Sequence, residues 1–117
     1  MPLVRISSSS APQDQAGADA LLLELSNSVA ELLGKPERYV MTCLVPPTRM
    51  TFGGSTDPAC FVELKSIGQM SPEVTSKLSA AICQSIEKHL GVAPGRTYIE
   101  FSDAKGYLWG WNGSTFG

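Results

Sequence analysis

Leu33-Gly34-Lys35-Pro36, with Arg38-Tyr39-Val40 close behind it, is answered later in the chain by Leu90-Gly91 and Pro94, with Arg96, Tyr98 and Ile99 behind them. In each copy an apolar run ends on Gly, where a left-handed helix cap is wanted, and a Pro then prevents the helix from continuing. Upstream of the first copy, Leu21, Leu22, Leu25, Val29, Leu32 and Leu33 recur at the three-and-four spacing of one apolar stripe, with Glu24, Ser28 and Glu31 on the other face. Upstream of the second, Val74, Leu78, Ile82, Ile86 and Leu90 do the same. Ser71, Pro72 and Glu73 supply its N-cap, its first helical residue and a favourable charge at the positive end of the dipole.

Strands flank both helices. Leu3 to Ser7 and Tyr39 to Val45 bracket the first, and Ala59 to Ile67 and Thr97 to Ser102 bracket the second. The chain therefore reads as an internal duplication, about residues 2–46 and 59–103, inside one domain covering 1–117. Each unit joins two parallel strands through a right-handed helical crossover. The expected fold is α+β, a four-stranded mixed sheet with two helices on one face and short C-terminal strands. Those strands surround Asn112-Gly113, a tight-turn dipeptide, and the tail carries Tyr107, Trp109, Trp111 and Phe116. Gly53-Gly54-Ser55 lacks the Gly-Lys-Ser/Thr ending of a phosphate loop and reads as a turn.

Two helices cover one face of a sheet, and the second strand is apolar on both: Tyr39, Met41, Cys43 and Val45 on one side, Val40 and Leu44 on the other. An apolar sheet face left in water marks an association surface, so a homo-oligomer closed around the uncovered faces is expected.

With 117 residues and nine Lys and Arg against eleven Asp and Glu, the composition suits a single soluble globular domain and carries no footprint for nucleic acid. There is no apolar run long enough for a membrane span and no secretory leader pattern, so a cytoplasmic protein is expected, with export by a non-signal route left open. Cys43, Cys60 and Cys83 are odd in number and widely spaced, which reads as three reduced core thiols. Those thiols and the single His89, placed to complement a helix C-terminus, suggest no metal site and no cofactor.

Met1-Pro2 is the chemically pointed dipeptide. Removal of Met1 would leave a chain beginning with a proline secondary amine. An α-amino group titrates at about pH 7.7–8.0, and burial or a nearby lysine would hold such an amine neutral as a base.

Pro2-Leu3-Val4, Gly34-Lys35-Pro36, Met50-Thr51-Phe52-Gly53-Gly54-Ser55, Ser66-Ile67-Gly68, Tyr98-Ile99 and the ending Gly110-Trp111-Asn112-Gly113-Ser114-Thr115-Phe116 together resemble the macrophage migration inhibitory factor family across essentially the whole chain. The resemblance implies a homotrimeric tautomerase fold with active sites at subunit interfaces, and a cofactor-free keto-enol tautomerase acting on small aromatic α-keto acids such as phenylpyruvate. It casts Pro2 as the catalytic base, Lys35 as the lysine beside it and Ile67 as a substrate-binding backbone N–H. Tyr98 corresponds to a pocket residue lent by a neighbouring subunit, and Tyr39, Trp111 and Phe116 to the aromatic lining. Glu100 stands where better-known members have a substrate-holding asparagine, Trp109 replaces a smaller rim residue, and Ala59 and Val62 stand where some members carry Cys-x-x-Cys. The rival reading is a binding or signalling protein that keeps the pocket without turnover.

Overall fold

The computed structural model describes all residues, Met1–Gly117. Strand β1 (Leu3–Ser8) leads through helix α1 (Gln15–Leu33) to β2 (Met41–Leu44); β3 (Cys60–Ile67) leads through α2 (Pro72–Leu90) to β4 (Thr97–Ala104). A two-stranded ribbon, β5 (Gly110–Trp111) and β6 (Ser114–Thr115), ends the chain. The sheet order is β2-β1-β3-β4. Within each half the two strands are parallel, and the halves meet where β1 runs antiparallel to β3. That is the α+β mixed sheet the duplicated punctuation predicts.

The helix boundaries follow the capping chemistry. Asp14 accepts the Gly17 N–H at 2.8 Å to open α1, and Ser71 accepts the Val74 N–H at 3.1 Å to open α2. Gly34 (φ 66°) and Gly91 (φ 69°) close the helices in the left-handed conformation, which a Cβ would disfavour. Both helices lie on one face of the sheet. Leu21, Leu25 and Val29 of α1 and Leu78, Ile82 and Ile86 of α2 pack fully buried against Val4, Ile6, Val62 and Leu64 of the two central strands. Each such side chain contributes about 1.5–3 kcal/mol by leaving water.

Three expectations need correction. The second strand begins at Met41, because Glu37–Tyr39 forms a 3-10 turn in which Pro36 C=O accepts the Tyr39 N–H at 3.1 Å. Tyr39 therefore leaves the ladder. Glu24 is not on a solvent face: its carboxylate sits between the helices, accepting Ser85 Oγ at 2.5 Å and Lys88 Nζ at 2.9 Å, with His89 Nε2 at 3.4 Å.

The uncovered sheet face is also less apolar than β2 alone suggested. The register places Leu3 and Met41, Cys43, Phe61 and Tyr98, and Ile67 on it, but Arg5, Glu63, Lys65 and Glu100 share it. Arg5 and Lys65 flank Glu63 at 4.0 and 3.9 Å, so a charged band crosses the middle of this face. Cys43 lies half-buried on this face, Cys60 is buried under the helices, and Cys83 is half-buried on α2; all are free thiols. Burial pushes the Cys60 thiol up to about 12, which keeps it protonated.

Candidate functional site

Pro2 is fully buried at the start of β1, where its carbonyl accepts the Met41 N–H at 2.9 Å. It forms part of the wall of a cavity of about 370 Å³. Two other segments complete that wall. The 3-10 turn after Pro36 delivers Arg38 and Tyr39, and the C-terminal ribbon delivers Trp109, Trp111 and Phe116. Asn112 (φ 51°) and Gly113 (φ 78°) make the ribbon's tight turn, as Asn-Gly predicts. The Phe116 N–H then donates to the carbonyls of Gly106 (3.1 Å) and Trp109 (3.2 Å), which returns the ring to the cavity.

The aromatic residues form one cluster. Tyr39 meets Trp111 edge to face at 5.5 Å between ring centroids and Phe116 at 6.4 Å, while Trp111 and Phe116 stack at 5.6 Å with a 12° interplanar angle. Edge and stacked contacts of this kind fix ring positions beyond what area burial would do. The Arg38 guanidinium lies over the Tyr39 ring at 4.8 Å. No acidic residue lines this cavity.

Lys35 follows the Gly34 cap, and its backbone N–H donates to Ala30 C=O at 2.9 Å. The side chain turns inward. Its ammonium donates to Ser66 Oγ at 3.0 Å and to the Ile67 carbonyl at the end of β3. An ammonium has three donors, so one remains for a ligand. Partial burial holds Lys35 below the usual lysine range. The chain's terminal ammonium on Met1 is held below its ordinary value as well, first by burial and then by the positive charge of Lys35. The lysine thus lies close enough to the N-terminus for its charge to be felt there.

The residues expected to form the site divide into three groups. Pro2, Tyr39, Trp111 and Phe116 line one cavity, and Lys35 and Ile67 line a second one. Ile67 turns its carbonyl to Lys35, a contact that the expected N–H role did not include. Tyr98 and Glu100 are elsewhere in the chain. Tyr98 pairs in register with Phe61, which in turn pairs with Ser7, five residues beyond Pro2 and thus roughly 15 Å along the sheet. It is 66% exposed and packs on Phe52 at 4.9 Å, while Glu100 lies on the uncovered face opposite Glu63.

Arg38 and Met41 join the cavity without having been singled out. Arg38 carries a sequence signal: like Arg96 in the second unit, it is a basic residue two positions after the proline that follows the helix.

A family model described as macrophage migration inhibitory factor matches residues 1–117. The macrophage migration inhibitory factor homolog of Brugia malayi is 40% identical over 106 residues, 91% of this chain and 91% of that protein. The macrophage migration inhibitory factor of Meriones unguiculatus is 38% identical over 98 residues, covering 84% of this chain and 85% of that one. Among solved structures, the macrophage migration inhibitory factor homologue from Prochlorococcus marinus superposes with a TM-score of 0.91 at 50% identity, covering 98% of this chain and 99% of that one. With the whole length matched and the duplicated sheet shared, the chain belongs to the macrophage migration inhibitory factor family of the tautomerase superfamily.

Proposed function

We propose that this protein is a cofactor-free keto-enol tautomerase of aromatic α-keto acids such as phenylpyruvate, with Pro2 as general base once Met1 is removed. The observation that carries the reading is Pro2 fully buried in the wall of an aromatic cavity without acidic residues, next to a Met1 terminal amine that burial and Lys35 hold below its ordinary value. Burial and a neighbouring cation both disfavour the protonated form, so once Met1 is removed the same two influences favour a neutral Pro2 amine with a lone pair to use.

In the reaction, the Pro2 nitrogen takes a proton from the carbon next to the keto group. The C–H bond breaks, its electron pair becomes the new C=C bond, and the carbonyl electrons move onto oxygen. The proton then passes from the proline nitrogen to that oxygen, giving the enol and restoring the base. The remaining Lys35 donor meets the substrate carboxylate, and the stack of Trp111 and Phe116 against Tyr39 receives the aryl ring.

Three copies closed around the uncovered sheet faces would bury Leu3, Met41 and Phe61 and bring Tyr98 and Glu100 of a neighbour towards each cavity. The test is Pro2→Ala, with Met1 removal verified by intact mass: phenylpyruvate ketonisation falls by about 10²–10⁴ while the assembly persists. Undiminished turnover overturns the role of the proline.

A further inference from the structure

The arginines that stand two positions after the proline in each unit have opposite fates, Arg38 as the middle residue of its 3-10 turn and Arg96 as the last residue of the corresponding turn Pro94–Arg96. Arg96 is consumed by structure, its guanidinium donating to the carbonyls of Pro58, Asp57, Phe52 and Ser55 at 2.8–3.3 Å. Arg38 makes no hydrogen bond and no ion pair. Its only partner is the Tyr39 ring, which holds the guanidinium at 4.8 Å and leaves the five N–H donors unused. Stacking of this kind fixes a guanidinium in place at little cost to its hydrogen-bonding edge.

Arg38 and Lys35 are therefore two cations beside Pro2, and neither has a carboxylate partner. No Asp or Glu lines the cavity of Pro2 or the second one that contains Lys35, although the protein as a whole is net negative. A ligand with one negative charge balances one of them. A ligand acidic at both ends balances both.

We propose that Arg38 is a specificity-determining residue that takes a second acidic group of the substrate, so that aryl α-keto acids with an anionic substituent on the ring are preferred over singly charged ones. The inference rests on the tautomerase reading above and deepens it. Lys35 meets the keto-acid carboxylate, the aromatic cluster receives the ring, and the Arg38 fork pairs with the distal carboxylate in the bidentate geometry that suits it.

The test compares phenylpyruvate with para-carboxyphenylpyruvate in the wild type, Arg38→Gln and Arg38→Lys. The wild type favours the dianion by about tenfold or more in kcat/KM, the range of a charge-assisted pair. Arg38→Gln removes that preference, with the loss in KM rather than kcat, and Arg38→Lys restores part of it. A wild type with no preference, or a preference unchanged in Arg38→Gln, overturns the proposal. Quenching of the indole emission of Trp109 and Trp111 by cinnamate and by para-carboxycinnamate reports binding without turnover. Tighter binding of the dicarboxylate that depends on Arg38, in a protein that turns over neither keto acid, supports the proposal and rejects the tautomerase reading. Turnover of phenylpyruvate with equal binding of the two cinnamates does the reverse.

Discussion

Lys35 and Ser66 join the two halves of the duplicated fold at the edge of the candidate site: the ammonium at the end of α1 donates to a hydroxyl near the end of β3 at 3.0 Å. Ser66 is 1% exposed, and the Ile67 carbonyl beside it accepts a second proton from the same ammonium. A left-handed glycine cap and a buried serine on different halves thus aim one positive charge at the start of the chain. Its position is set by both halves together.

Removing that charge changes the pH dependence of turnover in a defined direction. Burial and Lys35, in that order, hold the terminal amine of Met1 below its ordinary value; the same two influences are expected on the Pro2 amine once Met1 is removed, so Lys35→Met removes the second and leaves the first. The pKa of the amine then rises, though not to that of a free amine. The acid limb of kcat/KM for phenylpyruvate, which follows deprotonation of the base, moves to higher pH, and activity at pH 6–7 falls more than activity at pH 9. A pH–rate profile on the Met1-free protein measures the shift; a limb that stays in place would remove Lys35 from the tuning of the base.

Glu24 should tie stability to acid pH. Hydrogen bonds from Ser85 and Lys88 outweigh its partial burial and hold its carboxyl near 2, below the usual 4.5. A carboxylate whose pKa is depressed by folding stabilises the protein fully above its unfolded pKa. That contribution is lost as pH falls from about 4.5 towards 2. Glu24→Gln is expected to lose about 1 kcal/mol at pH 7, a modest figure because the pair with Lys88 is exposed to solvent. Urea denaturation at pH 7 and at pH 2.5 tests it: the variant trails the wild type at neutral pH, and the two converge in acid.

The same glutamate shows where the sequence was legible and where it was not. Helix existence, the Ser71 and Gly91 caps and the buried Leu and Ile stripe are local consequences of residue type at 3.6-residue spacing. Glu24 read as a solvent-facing residue because periodicity assigns a face and cannot show that a second helix will lie against its edge. Tyr39 read as a strand residue because aromatics favour strands, yet Pro36 set up a turn that took it out of the ladder and into the cavity. Pro2, Trp111 and Phe116 could be named as site residues through family likeness, since their meeting depends on contacts between the two ends of the chain. Arg38 reads in the sequence only as punctuation, and its unpaired guanidinium is a property of the fold, in contrast to Arg96, which donates to four carbonyls.

Gly106 controls the seating of the C-terminal ring. A Cβ there would stand 2.7 Å from the Phe116 carbonyl oxygen, against 3.5 Å from the nearest atom for a Cβ at Gly110. The contact at Gly106 is with backbone, which cannot rotate aside. Gly106→Ala is therefore expected to displace Phe116 from its stack on Trp111 and weaken cinnamate binding by about tenfold, the scale of one lost aromatic contact. Gly110→Ala should stay within about threefold. Fluorescence titration of both variants tests the ranking, and equal affinities would show that the ring is seated by something other than this close approach.

The uncovered sheet face sets the last expectation. Phe61 lies on it next to Tyr98 in register, and the Arg5–Glu63–Lys65 band crosses its centre. A surface with large apolar side chains around a band of both charge signs suits burial against copies of itself: the apolar margins supply affinity, and the charges fix the relative placement. Phe61→Glu introduces a further carboxylate near Glu63 and Glu100 and removes apolar area, without touching the core beneath the helices. Sedimentation equilibrium at micromolar concentration is expected to give three times the 12.5 kDa chain mass for the wild type and a lighter species for the variant. If Tyr98 of a neighbour completes each cavity, the dissociated variant also loses phenylpyruvate turnover while retaining its helical circular dichroism. A wild-type protein that sediments as a single chain and still turns over phenylpyruvate would show that the cavity at Pro2 is sufficient by itself.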